Sequence, residues 1–231
     1  MDNRTRFSGL GWFPDRVIGI TIGGCGGIGS WTAFFLGRIG YHLNIWDDDK
    51  VEEHNLAGQL FETSARGNYK VSALSNMLST FSPGSYINTY TARIDENFTV
   101  FNPFVISAFD NMKARKTLFE AFLVYCQEES SDKNALFIDG RLEAEQLQVF
   151  CVGHSDESAI ERYRESLFED SEVEDAPCTF KQTSHTAAMI GSFITDCLTN
   201  HIANINLGHK IREIPFKTEF YAPFMHLNKE L

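Results

Sequence analysis

The stretch GGCGGIG, residues 23–29, puts five glycines into seven positions, after the β-branched run RVIGITI and before IGSWTAFFLGRIG. Such a run ends a strand, turns sharply and opens a helix. Glycine tolerates the turn, and Ile28, Trp31, Phe35 and Ile39 then recur at helical spacing. Three aspartates follow at the tip of LNIWDDD, residues 43–49, which reads as a second strand. The unit is β-α-β, and it commits the chain to parallel strands joined by crossover helices.

The rest of the chain repeats that alternation. Helical character returns over 64–81, where Val71, Leu74, Met77, Leu78 and Phe81 form one stripe, and a third strand is expected over 85–92. PFVISAF, 103–109, has the unbroken apolar character of a strand buried on both faces, with a helix over 111–127 after it. ALFIDG and EQLQVFCV supply two more strands. Residues 184–205 form a longer helix capped by Thr183 or Ser184, and IPFKTEFYAPF closes the sheet or covers an edge. The expected fold is α/β: a Rossmann-like, doubly wound, mainly parallel sheet with helices on both faces and antiparallel C-terminal strands.

A length of 231 residues suits one such domain over 1–231. Its acidic stretch, 152–177, holds nine acids against two arginines. This is either a crossing segment, running to about 183, or a surface helix around 157–168. The net charge of -11 and the lack of a basic stripe exclude a dedicated nucleic-acid binder. No apolar leader and no membrane-length stretch is present, so a cytoplasmic protein with no membrane partner is expected. Five scattered cysteines with no C-x-x-C spacing predict reduced thiols rather than disulfides or a zinc knuckle.

The glycines carry the first chemical signal. Gly24-x-Gly26-x-x-Gly29 between a strand and a helix lets backbone N–H groups reach a phosphate at the helix N-terminus. Asp47 then arrives at the next strand tip, where a carboxylate accepts hydrogen bonds from ribose hydroxyls. NAD, FAD and ATP satisfy this pattern equally. Strand alternation sends Asp47 and Asp49 to one side and Asp48 to the other, and two carboxylates on one side suit Mg²⁺ as well as ribose.

GGCGGIG, DDDKVEEHNLAGQLF, GNYK, SAFDNMKAR and FIDGRLEAEQLQVF, in this order and spacing, resemble the E1-like adenylyltransferases, the family of the ThiF and MoeB proteins and of ubiquitin-activating enzymes. The resemblance runs from about residue 16 to 205. It implies ATP-dependent adenylation of a carboxylate, usually the C-terminal glycine of a ubiquitin-like or sulfur-carrier protein, by a homodimer. On the matching positions, Gly24, Gly26, Gly27 and Gly29 would approach the phosphates, and Asp47 would bind the ribose. Asn55 and Gln59 would hold the nucleotide, Lys70 would offset phosphate charge, and Asp110, with Asp49, would hold Mg²⁺. Read without the resemblance, Asp110 caps the helix that begins there and Lys70 is a solvated surface lysine. Arg115, one turn along that helix, reads as structural.

Two positions qualify the resemblance. Gly58 stands where the family's N-x-x-R-Q stretch has an arginine on the phosphates, with Arg66, or Arg4 or Arg6 from a second subunit, as replacements. That departure keeps a non-catalytic, nucleotide-binding E1-like subunit in view. Cys178, in APCTFKQTSH, resembles the thioester-forming cysteine of several E1 enzymes, where Lys181 and His185 would favour its thiolate; its other reading is a small buried thiol. Cys25, within the glycine loop, is expected there for its small size.

Overall fold

The computed structural model describes residues 9–82, 86–128, 130–143, 145–168 and 183–231. Among these residues eight strands form one sheet: β1 (Gly19–Gly23), β2 (His42–Trp46), β3 (Ile87–Tyr90), β4 (Phe104–Ser107), β5 (Leu136–Glu143), β6 (Gln146–Gly153), β7 (Lys217–Tyr221) and β8 (His226–Glu230). Their spatial order is β3-β2-β1-β4-β5-β6-β7-β8. The first five run parallel, and β6, β7 and β8 add antiparallel beyond β5. Among the described residues five helices cover it: α1 (Gly27–Ile39), α2 (Lys70–Phe81), α3 (Met112–Gln127), α4 (Glu157–Glu165) and α5 (Ser184–Leu207). This is the expected doubly wound architecture with antiparallel C-terminal strands.

Period-two alternation inside apolar runs sorts the two faces. Phe104, Ile106, Leu136, Ile138, Val149 and Cys151 join α1, α2 and α5 on one side. Their neighbours Val105, Phe137, Phe150 and Val152 join α3 and α4 on the other. Phe137 is fully buried, stacked edge-on against Phe119 and Tyr163, with burial of that ring contributing about 2–3 kcal/mol. Within the acidic stretch, residues 157–165 form the helix α4. Asp156 caps α4 by accepting from the Ala159 amide at 2.9 Å, and the fully buried Tyr163 ties the helix to the second core.

Three boundaries differ from expectation for local reasons. Helix α2 starts at Lys70 rather than 64, because Thr63–Ala65 is a 3-10 turn and Gly67 adopts a left-handed φ of 87°. Strand β2 stops at Trp46, so the aspartates lie just beyond its ladder. The segment 214–224 contributes β7 and turns into a further strand, β8, whose five residues are all exposed. Thr183 takes the N-cap position of α5. The strand order reverses between β1 and β4, which opens a crevice at their carboxyl ends, the general ligand position of such sheets.

Candidate functional site

Each glycine of the turn between β1 and α1 answers a different steric demand. Gly24 has a φ of 93°, and a Cβ there would lie 2.7 Å from the Ala108 carbonyl oxygen. A Cβ on Gly29 would lie 1.9 Å from the Gly24 carbonyl oxygen, so this glycine lets the first turn of α1 close onto the loop. A Cβ on Gly26 would meet nothing within 4 Å. Gly26 is the N-cap of α1 and supplies no side chain to the first-turn amides, and Gly27 follows as the first helical residue. Bare N–H groups with the positive end of the helix dipole thus adjoin open space.

Backbone amides fix the Asp47 carboxylate before any ligand arrives. Asp47 Oδ2 accepts from the Cys25 amide at 2.7 Å and Oδ1 from the Asp49 amide at 2.8 Å. Each oxygen keeps a second lone pair for a hydroxyl. Burial pushes the Asp47 carboxyl up; the Cys25 amide, the Lys70 charge and the Asp49 amide oppose it without cancelling it. Asp48 turns away and pairs with exposed Arg93 at 2.7 Å. Burial also pushes the Cys25 thiol well up, with Asp47 adding to the shift, so that thiol is an inert filler of the loop.

Lys70, the first residue of α2, is 7% exposed. Its amide donates to the Asp49 carbonyl at 2.9 Å, and its Nζ donates to Asp49 Oδ2 at 2.8 Å. Burial alone would lower its pKa, but the Asp49 hydrogen bond and the charges of Asp47, Asp49 and Asp110 raise it. Lys70 is therefore a charged group among three carboxylates and not a solvated surface lysine. Asp110 lies exposed between β4 and α3. Asn111, not Asp110, caps α3, its Oδ1 accepting from the Ala114 amide at 2.8 Å.

Asn55 and Gln59 sit in the loop after the aspartates. Asn55 is buried, and its Oδ1 accepts from the Glu52 amide at 2.8 Å in a capping box. Gln59 Oε1 is buried with no hydrogen-bond partner among the described residues, an acceptor whose desolvation they leave uncompensated. The loop packs on α1 through Leu60 N to Ser30 Oγ at 3.0 Å and Trp31 Nε1 to the Gly58 carbonyl at 3.3 Å. A cavity of about 390 Å³ opens beside it, between Trp31, Gln59, Phe61, Met77 and Phe81.

The fold has counterparts among known proteins. The ThiF family model matches residues 16–225. The chain belongs to the ThiF family. The fold is shared with the crystal structure of selenomethionine PaaA at 18% identity and a TM-score of 0.68, covering 92% of this chain and 63% of that one. It is shared with E. coli MccB crystallised with ATP at 14% identity and a TM-score of 0.69, again covering 92% and 63%. MccB with MccA-N7isoASN matches at 12% identity and a TM-score of 0.67, covering 92% and 64%. This ThiF family chain thus spans a little under two thirds of the length of those neighbours. No curated protein sequence matches it significantly.

Within the ThiF family frame, the chain brings together the glycine turn, Asp47, Asp49 and Lys70, with Asp110 close enough to act on the Lys70 charge. Arg66 instead pairs with Glu53 at 3.0 Å on the surface. Cys178, Lys181, Arg4 and Arg6 lie outside the described residues. His185 shares a 2.9 Å hydrogen bond with Thr183 Oγ1. Cys25, Cys126, Cys151 and Cys197 are free thiols. Among the described residues, no helix is long and apolar enough to cross a membrane, and no group of three or more His, Cys, Asp or Glu is placed to hold a metal. Asp110 and Asp49 would supply at most two ligands, which fits Mg²⁺ carried in on phosphate oxygens rather than a preformed cage.

One buried assembly escaped sequence reading. Asp139 on β5 accepts from Arg115 on Oδ1 and from Arg141 on Oδ2, the latter at 2.8 Å. The available signal was the charged pair inside the apolar run FIDGR, which a strand buried on both faces accommodates only if partnered.

Proposed function

We propose that the chain is an E1-like adenylyltransferase that transfers AMP from ATP to a carboxylate, the C-terminal carboxylate of a peptide, a ubiquitin-like protein or a sulfur carrier. The convergence of buried, charged Lys70 with Asp47, Asp49 and Asp110 beside the open face of Gly26 carries this reading. The first-turn amides of α1 and Lys70 bind the triphosphate, Asp47 accepts the ribose hydroxyls, and Asn55 and Gln59 line the nucleotide's other side. A carboxylate oxygen of the acceptor attacks the α-phosphorus, the bond to the bridging oxygen breaks, and pyrophosphate leaves with that electron pair. Positioning and charge neutralisation supply the acceleration. Asp110 and Asp49 would hold Mg²⁺, which screens the phosphate charge when bound. The structures of MccB with ATP and of MccB with MccA-N7isoASN support a nucleotide and a peptide as the two substrates. Thioester transfer to Cys178 and a homodimer complete the proposal.

Pyrophosphate exchange into ATP tests it. With a competent acceptor, exchange is expected to require Mg²⁺ and to fall to background in Asp110→Ala. ATP binding by calorimetry with no AMP formed from any acceptor tested would favour the second reading, a nucleotide-binding subunit without turnover, which Gly58 motivates.

Thermal unfolding separates both from a dinucleotide enzyme. ATP at about a hundred times its Kd should add about 2.7 kcal/mol of stability, whereas NAD⁺ at the same concentration should add none. Stabilisation by NAD⁺ alone would sink the adenylation reading.

A further inference from the structure

Phe109 and Asn111, on either side of Asp110, are both clamped. The Phe109 carbonyl accepts a hydrogen bond from Arg115, which reaches back from the first turn of α3 past the Asn111 cap and Asp110. Arg115 also donates to the Gly140 carbonyl at 2.9 Å and to Asp139. On the other side, Asn111 Oδ1 is held by the Ala114 amide. Asp110 projects from a corner whose two flanks are fixed.

Asp139 is fully buried and faces two guanidinium groups, because Arg141 also reaches it. Arg141 continues the chain of contacts: it donates to the Ser166 carbonyl and the Ser166 hydroxyl, each at 2.9 Å, at the C-terminal end of α4. Its guanidinium lies over the Phe150 ring, 4.3 Å from the centroid. The contacts run from Phe109 through Arg115, Asp139 and Arg141 to Ser166.

Packing alone does not explain this arrangement. A fully buried aspartate paired with one buried and one partly buried arginine is seldom better for stability than apolar side chains of the same volume. What the planar, multi-donor guanidinium adds is direction, since it fixes several acceptors at once. A clamped carbonyl fixes the exit of the backbone at residue 109, and hence where the Asp110 carboxylate points.

We propose that Arg115, Asp139 and Arg141 are positioning residues that aim Asp110 at the metal–nucleotide and tie that corner to the end of α4. The proposal rests on the adenylation reading of the site. None of the three touches the nucleotide; they act through Asp110.

The test is ATP binding by calorimetry across a MgCl₂ series in the full chain, with thermal unfolding alongside. Arg115→Lys and Asp139→Asn should each raise the Mg²⁺ concentration for half-maximal binding by about tenfold, the scale of a lost outer contact to a metal ligand. Affinity without metal should change less than about twofold in either variant. Each combined with Asp110→Ala should shift the midpoint no further than Asp110→Ala alone, because groups acting through one carboxylate are not additive. An unchanged midpoint with a lowered Tm, shifts that add to Asp110→Ala, or failure of both variants to fold would overturn the proposal. If Asp139→Asn alone fails to fold, Arg115→Lys decides. A wild-type chain whose ATP binding ignores Mg²⁺ would overturn the reading of the site and the proposal with it; a Mg²⁺-dependent wild type with unmoved variants overturns only the positioning role.

Discussion

Lys70→Met should lower Mg²⁺-dependent exchange about 10²- to 10³-fold, the scale for removing one preorganised charge from a phosphoryl-transfer site. ATP binding should weaken less, about 10- to 100-fold, as expected for one charge-assisted contact of about 1.5–3 kcal/mol. The geometry behind this is the placement of a buried ammonium among Asp47, Asp49 and Asp110, where methionine, unbranched and one atom shorter, leaves the carboxylates without a cation. The pH dependence follows from the sign of the shift. A lysine whose folded pKa is raised contributes fully below its unfolded value and loses its contribution only as pH rises through the folded one. Between pH 7 and 9, ATP affinity should therefore show no decline from Lys70 losing its proton. Exchange that survives Lys70→Met unchanged would remove the lysine from the site.

The second large effect concerns the glycine turn, where two similar substitutions should behave differently. Gly29→Ala drives a methyl to within 1.9 Å of the Gly24 carbonyl oxygen, and relieving that overlap requires α1 to move off the loop. A loss of about 3 kcal/mol is expected, lowering Tm by about 6–12 °C for a chain of this size. Gly26→Ala meets nothing within 4 Å and has an ordinary negative φ, so stability should hold to within about 0.5 kcal/mol. Its methyl instead enters the space proposed for phosphate, and ATP affinity should fall at least about tenfold. Unfolding scans with and without ATP read both outcomes. Equal Tm losses in the two variants would contradict this division of roles.

The order of elements was legible wherever side-chain periodicity reports directly on burial. PFVISAF and ALFIDG read as strands because alternate residues feed cores on opposite faces, and the stripe of Val71, Leu74 and Leu78 reads as a helix because it meets only one. Periodicity failed at 64–69, where the chain turns on Gly67, and at β8, whose exposed polar residues offer no apolar pattern. The acidic helix α4 was ambiguous since one tyrosine, Tyr163, provides most of its anchorage. In the site, residue types and spacing marked Gly24 and Asp47, and only the family resemblance marked Lys70. They could not reveal that the Asp47 oxygens already accept two amides, that Asn111 rather than Asp110 caps α3, or that Lys70 is held by Asp49. Those facts depend on loop conformation, which sequence pattern encodes weakly. The Asp139 assembly joins residues from a helix and a strand 24 positions apart, a pairing that local reading does not reach.

The outermost strand has a consequence for how the molecule coexists with copies of itself. Among the described residues β8 forms one margin of the sheet, leaving a row of backbone donors and acceptors that a neighbouring chain could extend. Lys229 and Glu230 flank that row, pinned by Glu213 and Arg162 respectively. An incoming strand would have to strip water from both ion pairs to zip onto it. The polar ribbon thus works as a fender for β7, whose Thr218 and Phe220 would otherwise sit beside the most adhesive boundary of the fold.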